Sequence, residues 1–140
     1  MGAFGMALKR GFKALLAEAD AVATVLSVDE AEARLNDPNT VIVDIRDIRE
    51  LDREGMVPGA RHAPRGMLEF WAAPDSPYHK QWMADESKTY VFYCQSAWRS
   101  AIAVKDLMDM GASNVAHIKG GFKAWKEAGK SIEAKSAKKD

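Results

Sequence analysis

The chain has 140 residues, 47% hydrophobic and 29% charged, and its 20 basic and 20 acidic side chains give a formal net charge of zero. That length suits one domain able to bury about two-thirds of its unfolded surface. The charge balance leaves no footprint for nucleic acid, no apolar run is long enough to cross a bilayer, and a single cysteine forbids an internal disulfide. Neither nucleic acid nor membrane is therefore an expected partner.

Residues 1–24 read as a helical extension, with Leu8, Phe12, Leu15, Leu16 and Ala19 forming an apolar stripe. Lys9, Arg10, Lys13, Glu18 and Asp20 interrupt it, which argues against an export signal. Met6 stands where a myristoylation motif needs Ser or Thr. Cytoplasm is the default location. The stripe's default destination is the following domain; a homodimer contact is the alternative.

Val25-Leu26-Ser27 is short enough for an edge strand, and Ser27 with Glu30 is a capping box opening a helix that Asn36-Asp37-Pro38-Asn39 stops. Val41 to Ile45 is the most strand-like segment in the chain and is expected to be covered on both faces. Asp44-Ile45-Arg46 lies at its carboxyl end, where open α/β sheets place ligands. Asp44 and Arg46 are read either as ordinary turn residues, the default, or as a clamp behind a later loop. A charged helix over Ile48 to Glu54 ends at Gly55, and a turn leads to a short strand, Ala60 to His62. Residues 63–88 carry an aromatic-rich insertion, with a helix through Met67, Leu68, Phe70 and Trp71 and another over Tyr78 to Met83. Arg65, Trp71, Tyr78 and His79 are its candidates for lining a pocket, against a default of packing or exposure.

Thr89 to Tyr93 is again a buried strand, and from Arg99 the residues Ala101, Val104, Leu107 and Met108 recur at helical spacing up to a stop at Gly111. Cys94 thus ends a strand one short loop before a helix. Amides converging in such a loop, with a helix N-terminus behind them, favour an anion and hence a thiolate. Arg99 adds a fixed cation and a planar fork of donors, and Ser96 and Ser100 add hydroxyls. On loop geometry alone a reactive thiol and an inert buried cysteine remain equally open. The 130–140 segment, lysine-rich and poor in apolar residues, reads as a flexible solvated tail.

Cys94-Gln95-Ser96-Ala97-Trp98-Arg99-Ser100 resembles the active-site loop of single-domain rhodaneses, Cys-x-x-Gly-x-Arg-Ser, with Ala97 in place of the common glycine. Asp44, Arg46, Gly55, Pro58, Gly59 and Ala60 match that family's Asp-x-Arg and Pro-Gly-Ala blocks, with Met56 replacing a histidine. The segment from Val115 through Gly120-Gly121 to Trp125 matches its closing strand and helix. The blocks cover residues 25–129 in the family's order. The fold so implied is α/β, a central parallel sheet of about five short strands with helices on both faces.

The resemblance also implies a sulfurtransferase. The Cys94 thiolate would attack the outer sulfur of a small sulfur-containing anion such as thiosulfate, release sulfite and carry a persulfide to a thiol or cyanide acceptor. Arg99 would position the donor's oxyanion, with the Gln95, Ser96, Ala97, Trp98 and Ser100 loop as the anion cup and Trp98 shaping the entrance. Asp44 and Arg46 would support it. The reading needs a sulfur reachable from solvent. Two alternatives stay open: a cysteine phosphatase or arsenate reductase of related fold, whose loop has five residues between Cys and Arg where this one has four, and a sulfur-carrying or sensory module without turnover. No metal or other cofactor is expected, since His62, His79 and His117 lack ligand spacing and no phosphate-loop or dinucleotide pattern occurs. His117 reads as a core or hydrogen-bonding residue.

Overall fold

The computed structural model describes residues 5–135. Its elements in chain order are α1 (Phe12–Val22), β1 (Val25–Leu26), α2 (Val28–Glu32), β2 (Thr40–Asp44), α3 (Ile48–Glu54), β3 (Arg61–His62), α4 (Leu68–Ala72), β4 (Thr89–Tyr93), α5 (Trp98–Asp109), β5 (Val115–Ile118) and α6 (Gly121–Glu127). The five strands form one sheet in the order β1-β5-β4-β2-β3, and every pairing is parallel. The expected α/β architecture is the observed one.

The strand runs are buried because both faces are covered. Val43, Tyr90, Phe92, Cys94 and Val115 belong to one core with Val104 and Leu107 of α5, while Ile42, Val91, Tyr93 and Ile118 belong to a second with Leu51, Phe122 and Trp125. Burying one such large side chain is worth about 1.5–3 kcal/mol. Helix α1 packs on α5, as the default reading had it, with Ala19 fully buried. No helix among the described residues is long and apolar enough to cross a membrane.

The topology places the site. The chain leaves β2 toward β3 on one side and leaves β4 toward β5 on the other, so the connections diverge between neighbouring β2 and β4. Ligand crevices of open α/β sheets lie at such a divergence, beyond the carboxyl ends of the strands. Asp44 is in register with Tyr93 there, and the Ile45 amide donates to the Tyr93 carbonyl at 3.0 Å. The cysteine loop begins at the next residue.

Two segments depart from expectation. Residues Tyr78 to Met83 form only a 3-10 turn at Gln81–Met83, and the Arg65–Met67 start of the insertion is also 3-10. The Lys80 amide donates to the Trp71 carbonyl at 2.8 Å and the Met83 amide to the Lys80 carbonyl, three residues back, so no i to i−4 ladder forms. The expected solvated tail is tied down as far as Lys135. Met56 and Glu133 exchange two backbone hydrogen bonds at 2.9 Å, Glu133 Oε1 accepts from the Gly59 amide, and the Trp125 indole donates to the Ser131 carbonyl at 2.7 Å. Gly55 permits the bridge, because a Cβ there would sit 2.8 Å from the Glu133 carbonyl oxygen. Residues 136–140 of that tail, and 1–4 of the N-terminal extension, lie outside the described residues.

Candidate functional site

Alternation along β4 sends Cys94 to the same side as Tyr90 and Phe92, under the first turn of α5. The loop doubles back at Ala97, which holds φ 76 and ψ 0, the sole positive φ of a non-glycine residue among those described. That left-handed residue ahead of a right-handed helix turns successive amides to one side. No described protein acceptor receives the amides of Gln95, Ser96, Ala97, Trp98 or Arg99, and α5 has no side-chain cap. The Ser100 amide points at Cys94 Sγ at 3.4 Å, and the Ser100 hydroxyl lies 3.6 Å from the sulfur. Behind it, Ser100 Oγ is 2.9 Å from Nδ1 of His117, a residue fully covered in the core.

The loop is held from beneath by α6. The Cys94 carbonyl accepts from the Phe122 amide at 2.8 Å and the Gln95 carbonyl from the Lys123 amide at 3.0 Å. Gly121, at φ 65, allows this approach, since a Cβ would stand 2.5 Å from the Cys94 carbonyl oxygen. This is the physical reason for the Gly-Gly pair.

Arg46 and Asp44 form the clamp rather than ordinary turn residues. Both side chains are fully buried, with Arg46 Nε and Nη2 donating to the Asp44 carboxylate, Nη2 also to the Gly55 carbonyl at 2.7 Å, and Nη1 to Gln95 Oε1 at 3.0 Å. Its guanidinium lies 4.3 Å from the centre of the Phe122 ring. Burial works against the Arg46 charge, but Asp44 outweighs it and raises the pKa above the ordinary arginine value. Gln95 also donates to Glu54 at 3.2 Å, so it is a tether of the loop.

Arg99 is placed differently. It makes a bidentate pair with Glu50, at 2.8 and 3.0 Å. Glu50 also accepts from the Asp47 amide as the third residue of a capping box, so α3 fixes it. The hydrogen bond from Arg99 holds the Glu50 carboxyl below its usual range, and Glu50, with a smaller contribution from Cys94, raises Arg99. Nothing in the sequence spacing pairs Glu50 with Arg99. Its only signal was the Asp47-Glu50 capping box.

The matched family model is the rhodanese-like domain, over residues 27–128. The chain belongs to the rhodanese-like domain family. A solved Rhodopseudomonas palustris protein of unknown function, described as a possible tyrosine phosphatase, superposes with a TM-score of 0.88 at 46% identity, covering 94% of this chain and 100% of that one. The thiosulfate sulfurtransferase of Pseudomonas aeruginosa gives 0.72 at 25% identity, covering 89% of this chain and 23% of that one. An uncharacterized Synechocystis protein is 48% identical over 44 residues, 31% of this chain and 25% of that protein. The match thus spans about a quarter of that curated relative.

The remaining expected residues of this rhodanese-like domain divide clearly. Trp98 is 56% exposed at the rim, with the Phe12 ring of α1 5.0 Å away. Ser96 is exposed and its hydroxyl reaches no described partner. The insertion residues are engaged elsewhere: Arg65 donates to Asp106 of α5, Lys80 covers the Trp71 ring, the His79 ring meets the Trp71 carbonyl, and Tyr78 is exposed. None of the four hydrogen-bonds to the cysteine loop. Two cavities of about 710 and 740 Å³ lie off the loop, one at the far end of α5 and one beside Trp82. Cys94 itself is 1% exposed. That corrects the expectation of an open thiol: the fold closes over the sulfur.

Proposed function

We propose that the protein is a sulfurtransferase that moves sulfane sulfur from a small anionic donor such as thiosulfate to a thiol or cyanide through a persulfide on Cys94. One observation carries this reading: the four residues between Cys94 and Arg99 form a short loop whose amides have no partner among the described residues, next to a sulfur that already receives the Ser100 N–H. The donor's oxyanion exchanges with Glu50 for the Arg99 fork, which uncovers the sulfur. The Cys94 thiolate then attacks the outer sulfur of thiosulfate; the S–S bond breaks and its electron pair leaves with sulfite. The loop amides and the α5 terminus hold the persulfide's negative charge. An acceptor thiolate or cyanide removes the outer sulfur, and the Cys94 thiolate returns. No second cysteine is needed, which suits the inventory of one and a reducing compartment such as the cytoplasm.

A second reading has its own support. The R. palustris protein described as a possible tyrosine phosphatase is 46% identical along its whole length. A thiolate beside an arginine also suits phosphoryl transfer, but four intervening residues leave less room for a tetrahedral phosphate than five. The test is intact-protein mass after incubation with thiosulfate. Gain of one sulfur atom, absent in Cys94→Ser and lost again on adding cyanide, supports sulfur transfer. Gain without loss to any acceptor indicates a carrier. No gain, with hydrolysis of p-nitrophenyl phosphate that needs Cys94, makes the protein a phosphatase.

A further inference from the structure

His117 is a buried titratable side chain on the Cys94 side of the sheet that the proposed reaction leaves without a task; unlike Tyr90, whose hydroxyl is held by the Asp85 amide and the Trp82 carbonyl, it keeps one polar atom unpartnered. It stands in register with Phe92 of β4, two residues before the cysteine and on the same face. Its Nδ1 meets Ser100 Oγ at 2.9 Å, and its Nε2 is buried with no partner among the described residues. A histidine kept only for packing leaves that nitrogen unsatisfied at a cost, and a leucine of similar size would not.

We propose that His117 is a positioning residue for Cys94, acting through Ser100: the ring sets the direction of the Ser100 hydroxyl, so that one oxygen receives the thiol proton and donates to the thiolate or persulfide. The inference rests on the sulfur-transfer reading for its purpose, but not for its geometry. With the thiol protonated, S–H points to Oγ, the hydroxyl proton points to Nδ1, and the ring carries its proton on Nε2. On ionisation the S–H bond breaks as a new O–H bond forms, and the former hydroxyl proton passes to Nδ1. As that proton arrives, the Nε2 proton is given up to water admitted by local opening of the core, so one proton leaves in all and the ring ends neutral with Nδ1 protonated. Nδ1–H now donates to Oγ, and the hydroxyl donates to the sulfur anion. Nε2, with nothing holding its proton, is free to change state; a second fixed partner there would lock one tautomer.

The charged and titratable groups around the ring are few. Asp20 of α1 acts on it from across the sheet face, and Cys94 lies beyond Ser100, with Arg99 beyond the sulfur. Burial lowers the His117 pKa and outweighs Asp20, which favours a neutral ring before and after the exchange.

The first measurement is the ¹⁵N spectrum of the His117 ring while Cys94 ionisation is followed by thiolate ultraviolet absorbance, in the full chain. The proton moves from Nε2 to Nδ1 in step with the thiolate, and in Ser100→Ala the ring no longer follows the sulfur. A ring whose tautomer is the same in both states overturns the proposal, whether or not the protein ever accepts sulfur. The second is the rate of sulfur loading from thiosulfate. His117→Leu slows it about tenfold or more, the worth of one hydrogen bond to a charged sulfur, while the urea midpoint holds or rises. His117→Asn, whose amide can either accept from or donate to Ser100, recovers most of the rate. His117→Leu adds nothing further in a Ser100→Ala background. Equal loading by wild type and His117→Leu, or additive losses in the double variant, removes the role assigned here and leaves the sulfur-transfer reading standing. Failure of the wild type to load at all removes that reading, and the spectrum still decides the inference.

Discussion

Two arginines reach the cysteine loop, and they are held in opposite ways. Arg46 is sealed in the core with its carboxylate partner, and its guanidinium is held by Asp44, Gly55, Gln95 and the Phe122 ring. Arg99 has a side chain 40% exposed, and its ion-pair partner among the described residues is Glu50, 17% exposed. Desolvation makes the difference between them one of kind. A fully buried pair cannot be opened without stranding a charge, which costs about 3–5 kcal/mol. A half-exposed pair is worth about 0–1 kcal/mol, so an incoming anion can displace its carboxylate. The first arginine fixes the shape of the loop, and the second is free to change partners above it.

The strongest way to break that contrast is Arg46→Ala. It leaves the Asp44 carboxylate buried and alone and unties Gln95, so stability falls by about 3–5 kcal/mol in urea titrations. Asp44→Leu together with Arg46→Met removes both charges and recovers a large part of the loss. A loss below about 1 kcal/mol for Arg46→Ala puts it in the class of surface pairs and ends the distinction.

Glu50→Gln probes the other side with a smaller effect. Glutamine still serves the capping box, so the change isolates the charge facing Arg99. Stability shifts by no more than about 1 kcal/mol. Because Arg99 depresses the Glu50 pKa, the native state releases this proton more readily than the unfolded chain. The stability it supplies is complete above the ordinary value of 4.5 and fades as pH falls through the lowered one. The gap between wild type and Glu50→Gln should therefore close on acidification below that value. Under the proposed reading the donor also no longer competes with a carboxylate, so its KM falls about two- to fivefold, the equivalent of that surface-pair energy. A KM that rises instead means Glu50 aims Arg99 rather than blocking it.

The contrast was only half legible in the sequence. The two strand-like runs, Val41 to Ile45 and the uncharged Thr89 to Tyr93, announced strands buried on both faces, and the order of strand and helix signals gave the parallel sheet. Periodicity reports burial, so it read those elements well. It also put Cys94 at the strand end. Partner choice is another matter, since pairs such as Arg46–Gln95 and Arg99–Glu50 lie 49 positions apart and depend on strand order. The same holds for Ser100 and His117, which meet because β5 lies beside β4. The closure over Cys94 was invisible for that reason too. The strap at Glu133 was missed because a backbone bridge leaves no mark in hydropathy.

Ala97 lies between the two anchored points, after Gln95 on the Arg46 clamp and before Arg99 on Glu50. An alanine at φ 76 carries a cost of about 1–2 kcal/mol from its Cβ. It stays there because the Cys94 and Gln95 carbonyls are pinned to α6 on one side and the helix is packed on the other. Ala97→Gly removes the strain but gives the unfolded chain more freedom, worth about 0.4–1 kcal/mol in the opposite direction. The net is a small gain, under about 1 kcal/mol, with loop shape and sulfur loading unchanged. Ala97→Val, branched at Cβ, adds strain instead and lowers the urea midpoint. If glycine destabilises the protein outright, the left-handed turn is not what the loop adopts, and the amide arrangement that depends on it loses its geometric basis.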